Sequence, residues 1–234
     1  MTYSRAFGRL AVAALACGAP ATVVGQTGGT AQGSFEGAVT YRLTDTAGKA
    51  ITMVYQAKGS RIRLDMSGGQ GMDAASPVVI YDANNRMVTA MIVQARLYVA
   101  TPIDSLGKVG GDKPVIKALG TRETVAGIAC EDYQVTKDSR HEMICAAHGM
   151  GNFLMPGAGA GMGFDSMMLP SGFFPLKVSQ VEAGQARALM VATAVDRKAV
   201  DPSIFVVPAD YKRLDAKGMG LIPGAGAGSG TMPQ

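Results

Sequence analysis

The sequence predicts a mainly β protein built on one antiparallel sheet, and three observations carry that expectation. Apolar and polar residues alternate with period two over most of the chain from Ser34 onward, as they do in strands buried on one face. Clusters of Gly, Asp, Asn and Ser interrupt the alternation at short intervals and supply the turns of successive hairpins. The length of 234 residues suits one well-cored domain, since a chain of this size buries roughly 70% of its unfolded surface.

The first strand places Phe35, Gly37, Val39, Tyr41 and Leu43 on one face and Glu36, Thr40, Arg42 and Thr44 on the other. Asp45 to Gly48 turns the chain into a second run, Ile51, Met53, Tyr55 and Ala57. After Lys58-Gly59-Ser60, a third run sets Ile62, Leu64 and Met66 against Arg61, Arg63 and Asp65. Three such runs joined by short turns form a meander. A Gly-rich loop, Ser67 to Ala75, leads to strands at Val78–Asp82, Arg86–Val93 and Arg96–Thr101, with Asn84-Asn85 as a turn. These strands are apolar on both faces, which predicts a covered central place in the sheet instead of a wet edge.

Alternation is lost from Pro102 to Leu119, where Asp104-Ser105-Leu106, Val109, Ile116 and Leu119 predict short helical pieces. Strands resume at Thr121–Ala126, Ile128–Thr136, His141–Ala146, Leu176–Glu182 and Ala186–Val195. Asp201-Pro202 fits the start of a short helical turn, with Pro at its first position. The expected total is ten or eleven strands with little helix.

Ahead of the sheet, residues 1–25 have the layout of an export signal: basic Arg5 and Arg9, apolar Leu10 to Ala16, and a small-residue cleavage site at Val23-Val24-Gly25. The apolar run is too short to span a bilayer. Cys17 is a poor lipidation site, because Ala14 stands where a large aliphatic belongs. A periplasmic or outer-envelope product is therefore the first expectation, and a lipoprotein anchored through Cys17 the second. Residues 26–33 are expected to be a flexible N-terminus, 34–214 the sheet domain, and 215–234 a disordered Gly/Ala-rich tail. Removing Arg5 and Arg9 with the signal leaves 20 basic against 18 acidic side chains, a net charge of +2. That balance supplies no clustered basic face for nucleic acid.

Without the signal, Cys130 and Cys145 are the remaining cysteines, in a compartment where disulfides persist. A hairpin turning at Lys137-Asp138 puts them directly opposite each other and predicts a cross-strand bridge.

Pro156 to Gly161 and Pro223 to Gly228 repeat Pro-Gly-Ala-Gly-Ala-Gly. Neither copy has a glycine where a phosphate-cradling G-x-G-x-x-G needs its third, so both are read as linkers.

His141, Met143 and His148 lie close together in the sequence and are soft enough to suggest Cu(I), but no Met-x-x-Met or His-x-His spacing supports a site. No metal or other cofactor is expected. The chain has no G-x-S-x-G elbow, and neither histidine lies in a recognisable Ser or Cys constellation. Asp45, Asp65, Asp82, Glu131 and Asp132 read as solvated turn and strand residues, and no catalytic residue is assigned.

The most unusual stretch is His148 to Phe174, rich in Met and Phe but without Val, Ile or Thr. Met side chains at such positions fill irregular core gaps, or they form an adaptable flap over an apolar cavity. On the second reading the ligand-binding residues are Met150, Phe153, Leu154, Met155, Met162, Phe164, Met167, Met168 and Phe173.

Several segments together resemble a known family. They are Phe35-Glu36-Gly37 to Tyr41, Tyr55 to Asp65, Tyr81-Asp82, Thr124 to Tyr133, Phe174 to Lys177 and Asp201 to Tyr211. The resemblance is to an uncharacterised exported bacterial family, domain of unknown function 4412, itself similar to the LolA/LolB-like carriers that sort lipoproteins to the outer membrane. It implies a half-barrel, a strongly curved antiparallel sheet whose concave side is covered by short helices or loops. Residues 102–119 and 148–174 are then the covering segments. Gly127, Cys130, Pro208 and Tyr211 look architectural in this light. The expected function is non-catalytic binding of a lipid, an acyl chain or a lipidated partner, peripheral to the membrane at most. An envelope scaffold or stress-associated interaction module without ligand is the alternative, and a Cu(I)-binding protein a third, weaker reading.

Overall fold

The computed structural model describes residues 35–44, 48–68, 77–105, 114–137, 140–153, 172–182 and 185–214. Residues 1–25, 26–33 and 215–234, read above as an export signal, a flexible N-terminus and a disordered tail, lie outside them.

Among the described residues, twelve strands form one open, curved sheet. Strands β1 (Gly37–Thr44), β2 (Ala50–Lys58), β3 (Arg61–Gly68), β4 (Pro77–Asp82), β5 (Met87–Ile92) and β6 (Leu97–Pro102) run as an antiparallel meander. Strands β7 (Val115–Val125), β8 (Ile128–Lys137), β9 (Arg140–Ala147), β10 (Phe174–Glu182) and β11 (Gln185–Asp196) form a second meander. The two are joined at the centre by antiparallel pairing of β1 with β11, and the two-residue β12 (Lys212–Arg213) adds a parallel edge to β6. Gly37 permits the central junction: a Cβ there would sit 2.2 Å from the Asp196 carbonyl oxygen.

The period-two pattern becomes a core on one face. Val39, Tyr41 and Leu43 of β1 meet Ile51, Met53 and Tyr55 of β2, Ile62 and Leu64 of β3, and Met190 and Val178 from the second meander. Tyr41, fully buried, donates its hydroxyl proton to the Pro175 carbonyl at 2.9 Å. At the far side Tyr133 faces Ile144 across the β8–β9 pair.

The opposite face of the first meander has a core of its own. Val78, Ile80 and Met91 pack against Val200 and Phe205, part of a strap that runs from β11 to the β6 edge. Arg61 and Arg63 alternate with Ile62 and Leu64 and therefore reach this face. The Arg61 guanidinium lies 5.2 Å from the Phe205 ring centroid, and Arg63 Nη1 donates to the Ile204 carbonyl at 2.8 Å. Asp201 caps a short 3-10 turn by accepting the Ser203 amide, with Pro202 in the first position as expected. The strap ends where the Lys212 and Leu214 amides donate to the Arg96 and Tyr98 carbonyls, each at 2.8 Å.

Several expectations are corrected. Strands β4 to β6 lie toward an edge of the sheet, and their second apolar face is explained by the strap, which covers it. Among the described residues of the segment expected to be helical from 102 to 119 there is a 3-10 turn at Ile103–Ser105, and from Val115 onward it is edge strand β7; residues 106–113 are not among the described ones. Most residues of β7 are exposed, so little burial enforces alternation there. The disulfide Cys130–Cys145 is present, with Cα atoms 5.3 Å apart, but the two residues are not directly opposite. Lys137 pairs with Arg140 and Asp132 with Cys145, so the bridge is diagonal. This register sets the Tyr133 ring against Ile144, where a turn at Lys137-Asp138 would have set it against Glu142.

Candidate ligand-binding site

The core leaves a half-open cleft of about 290 Å³ at the β2–β3 turn. Tyr55, Ala57, Ile62 and Phe174 line it from the sheet, Phe35 from just before β1, Gly59, Ser60 and Ala83 from turns, and Met150, Gly151 and Asn152 from the segment after β9. Strand alternation aims Tyr55 and Ala57 into this face, and at the Gly59 turn (φ +60°) an added Cβ would meet nothing within 4 Å. Around the cleft the aromatic rings are tightly coupled. Phe174 lies 5.7 Å from Phe35 and 5.5 Å from Tyr55, the latter edge to face.

The legs of the Met/Phe stretch are tied together at this point. Asn152 Oδ1 accepts the Gly172 amide at 2.8 Å, and Phe153 stacks on Tyr55 with centroids 5.1 Å apart. Next to them Phe173 packs against Tyr133 at 4.7 Å and His148 at 5.2 Å. The Tyr133 hydroxyl donates to Glu131 at 2.9 Å and lies 3.1 Å from His148 Nε2. Burial, then the Glu131 carboxylate, push the Tyr133 phenol above its ordinary pKa.

Of the nine residues assigned to ligand binding, Met150 lines the cleft and is buried. Phe153 is buried in the adjoining core, and Phe173 is half-buried at the Tyr133–His148 cluster. Leu154, Met155, Met162, Phe164, Met167 and Met168 lie outside the described residues. The cleft-lining Phe35, Tyr55, Ala57, Ser60, Ile62 and Phe174 were not assigned. Their inward alternation is legible, but it is the pattern of any core residue. The reading of the acids as solvated also needs correction for Glu131 and Asp65. Glu131 is held by Tyr133, and Asp65 receives Arg63 and Gln56.

The soft-ligand residues are divided by the sheet. His141, hydrogen-bonded to Thr136, and Met143 alternate with Ile144 and so face away from Tyr133, the ring that His148 meets. The three-ligand grouping among the described residues is Glu123, Cys130 and Cys145. Both its sulfurs are bonded to each other, and Lys177 Nζ sits 2.9 Å from each Glu123 oxygen. Such a set does not fit a resident cation. Among the described residues no helix is long and apolar enough to cross a membrane.

The family described as a domain of unknown function, DUF4412, matches residues 35–211. The chain belongs to that family. The match opens at Phe35, before β1, and closes at Tyr211, before β12, so the DUF4412 domain comprises both meanders and the strap as far as Tyr211.

A crystal structure of an uncharacterised conserved protein from Thermus thermophilus is similar, with TM-score 0.51 at 8% identity, covering 78% of this chain and 91% of that one. Two structures of PNGF-II overlap it at 13% identity. The first, in space group P21, has TM-score 0.41 and covers 79% of this chain but 32% of that chain, so this chain spans about a third of its length. The second, in space group C2, has TM-score 0.42, with 77% and 31% covered. No functionally curated protein matches the chain.

Proposed function

We propose that this DUF4412 protein is a non-catalytic binding protein of the cell envelope, holding a lipid, an acyl chain or the lipidated segment of a partner in the cleft at the β2–β3 turn. One observation carries the reading: among the described residues the sheet carries a half-open cleft at the β2–β3 turn lined by Phe35, Tyr55, Ile62, Met150 and Phe174. Its lining is evenly divided between apolar and polar surface, and clefts that combine apolar walls with a few oriented polar groups are where small amphiphilic ligands bind. Burying such side chains against a ligand contributes roughly 1.5–3 kcal/mol each, so a few contacts hold one chain. The export signal read in residues 1–25 and the resemblance to lipoprotein-sorting carriers agree with an envelope ligand. Native mass spectrometry of protein purified from its own envelope without detergent tests the reading. A stoichiometric adduct removed by lipid extraction is the expected result, and a bare mass that stays bare with added fatty acids and phospholipids is the contrary one.

A second reading, an envelope scaffold without ligand, is favoured by Met150 and Phe153, which are only 1% and 7% exposed. These parts of the Met/Phe stretch are core material already. The bare mass would make this the better description.

A further inference from the structure

We infer that the ligand of this cleft is a single-chain, uncharged amphiphile, a fatty alcohol, fatty amide or acyl ester, and not a fatty-acid anion or a two-chain phospholipid. This rests on the binding reading above and adds ligand size and head-group class to it.

Size comes from the volume. At about 30 Å³ per water-sized group, a half-open cleft of about 290 Å³ has room for on the order of ten heavy atoms. That is the apolar part of one medium chain, and a second chain would remain in water.

Head-group class comes from the lining. None of the eleven described lining residues is charged. The cations nearest in sequence are engaged on the other face of the sheet. Lys58 holds Glu36 and the Val200 carbonyl, Arg61 covers Phe205, and Arg63 holds Asp65 and the Ile204 carbonyl. A carboxylate entering here would lose water and meet no cation among the described lining residues; the Arg197 guanidinium beside the lining lies over the Phe35 ring, 5.5 Å from its centroid, so the desolvation is poorly offset. The polar side chains among the lining residues are neutral: Asn152 is exposed and Ser60 half-buried, as expected at the open end. Asn152 Oδ1 is committed to the Gly172 amide, so its Nδ2 presents donors, and the Ser60 hydroxyl both donates and accepts. Together they suit a carbonyl or hydroxyl head.

Calorimetric titration of the full-length protein with decan-1-ol, decanamide and decanoate, at about pH 8 where the acid is ionised, tests this directly. Vesicles of a two-chain phosphatidylcholine complete the set. The alcohol and amide are expected to bind, decanoate at least about tenfold more weakly, and the vesicles not at all. Decanoate binding as tightly as decanamide, or binding of the two-chain lipid, overturns the inference while the binding reading stands. Failure of every probe overturns both. Ser60→Lys, at a half-buried turn position, is expected to raise the affinity for decanoate relative to decanamide by about tenfold, because it supplies the missing counter-charge. An unchanged ratio places the head elsewhere and overturns the assignment.

Discussion

Tyr55 and Phe153 stack with their ring planes 18° from parallel, so a residue of the Met/Phe stretch is built into the core of β2. Phe153 also meets Phe174 edge to face at 5.3 Å and Tyr41 at 6.2 Å. Phe153→Ala removes one wall of this cluster and is expected to cost about 3–5 kcal/mol in denaturant unfolding. A loss under about 1 kcal/mol would mean that the stack is incidental to stability.

Tyr41 predicts an alkaline limit. Burial pushes its phenol well above the ordinary value of 10.0, so above that pH the folded state holds a proton that the unfolded chain releases. Its contribution is complete below about pH 10 and is lost as pH rises toward the folded value. Tyr41→Phe should flatten this alkaline loss. At neutral pH it should cost about 1–3 kcal/mol, since the Pro175 carbonyl loses its donor. Denaturation midpoints followed from neutral to alkaline pH separate the two effects, and an alkaline slope equal to that of the wild type would contradict the assignment.

The disulfide closes a hairpin with a sequence separation of 15 residues. The paired variant Cys130→Ser/Cys145→Ser is expected to lose about 2–4 kcal/mol while keeping its strand content. Circular dichroism and urea titration check both parts. Collapse of the sheet signal would show that the bridge is required for folding and not only for stability.

The strap predicts a local response. Phe205→Ala should uncover Val78, Ile80 and Met91 and cost about 3–5 kcal/mol, with faster hydrogen exchange concentrated in residues 200–214. Glu36 anchors the start of the strap by accepting Lys58 Nζ and the Val200 amide, and these bonds lower its pKa below 4.5. The stabilisation from this group is present above pH 4.5 and is lost as pH falls through the lower folded value. The protection of the Val200 amide, relative to its intrinsic exchange rate at each pH, should fall at acid pH, and Glu36→Gln should blunt that dependence. Uniform exchange across the sheet would argue against a separable strap.

Local pattern was enough to specify the strands that have one wet face. Phe35 to Leu43, Ile51 to Ala57 and Ile62 to Met66 alternate because burial on one side selects their side chains, and their faces were legible without coordinates. The Asp201-Pro202 turn was legible for a local reason, since the cap and the fixed Pro φ need no distant partner. Contacts between distant segments settled the rest. The strap, not a central position, accounts for the second apolar face of Val78, Ile80 and Met91, and the β8–β9 register follows from Tyr133 facing Ile144 across strands. Met150 was singled out by the Met/Phe composition around it, whereas Phe174 is an ordinary apolar residue in sequence. They become cleft walls because the chain returns to the β2–β3 turn at a point where Gly59 and Ser60 leave space unfilled.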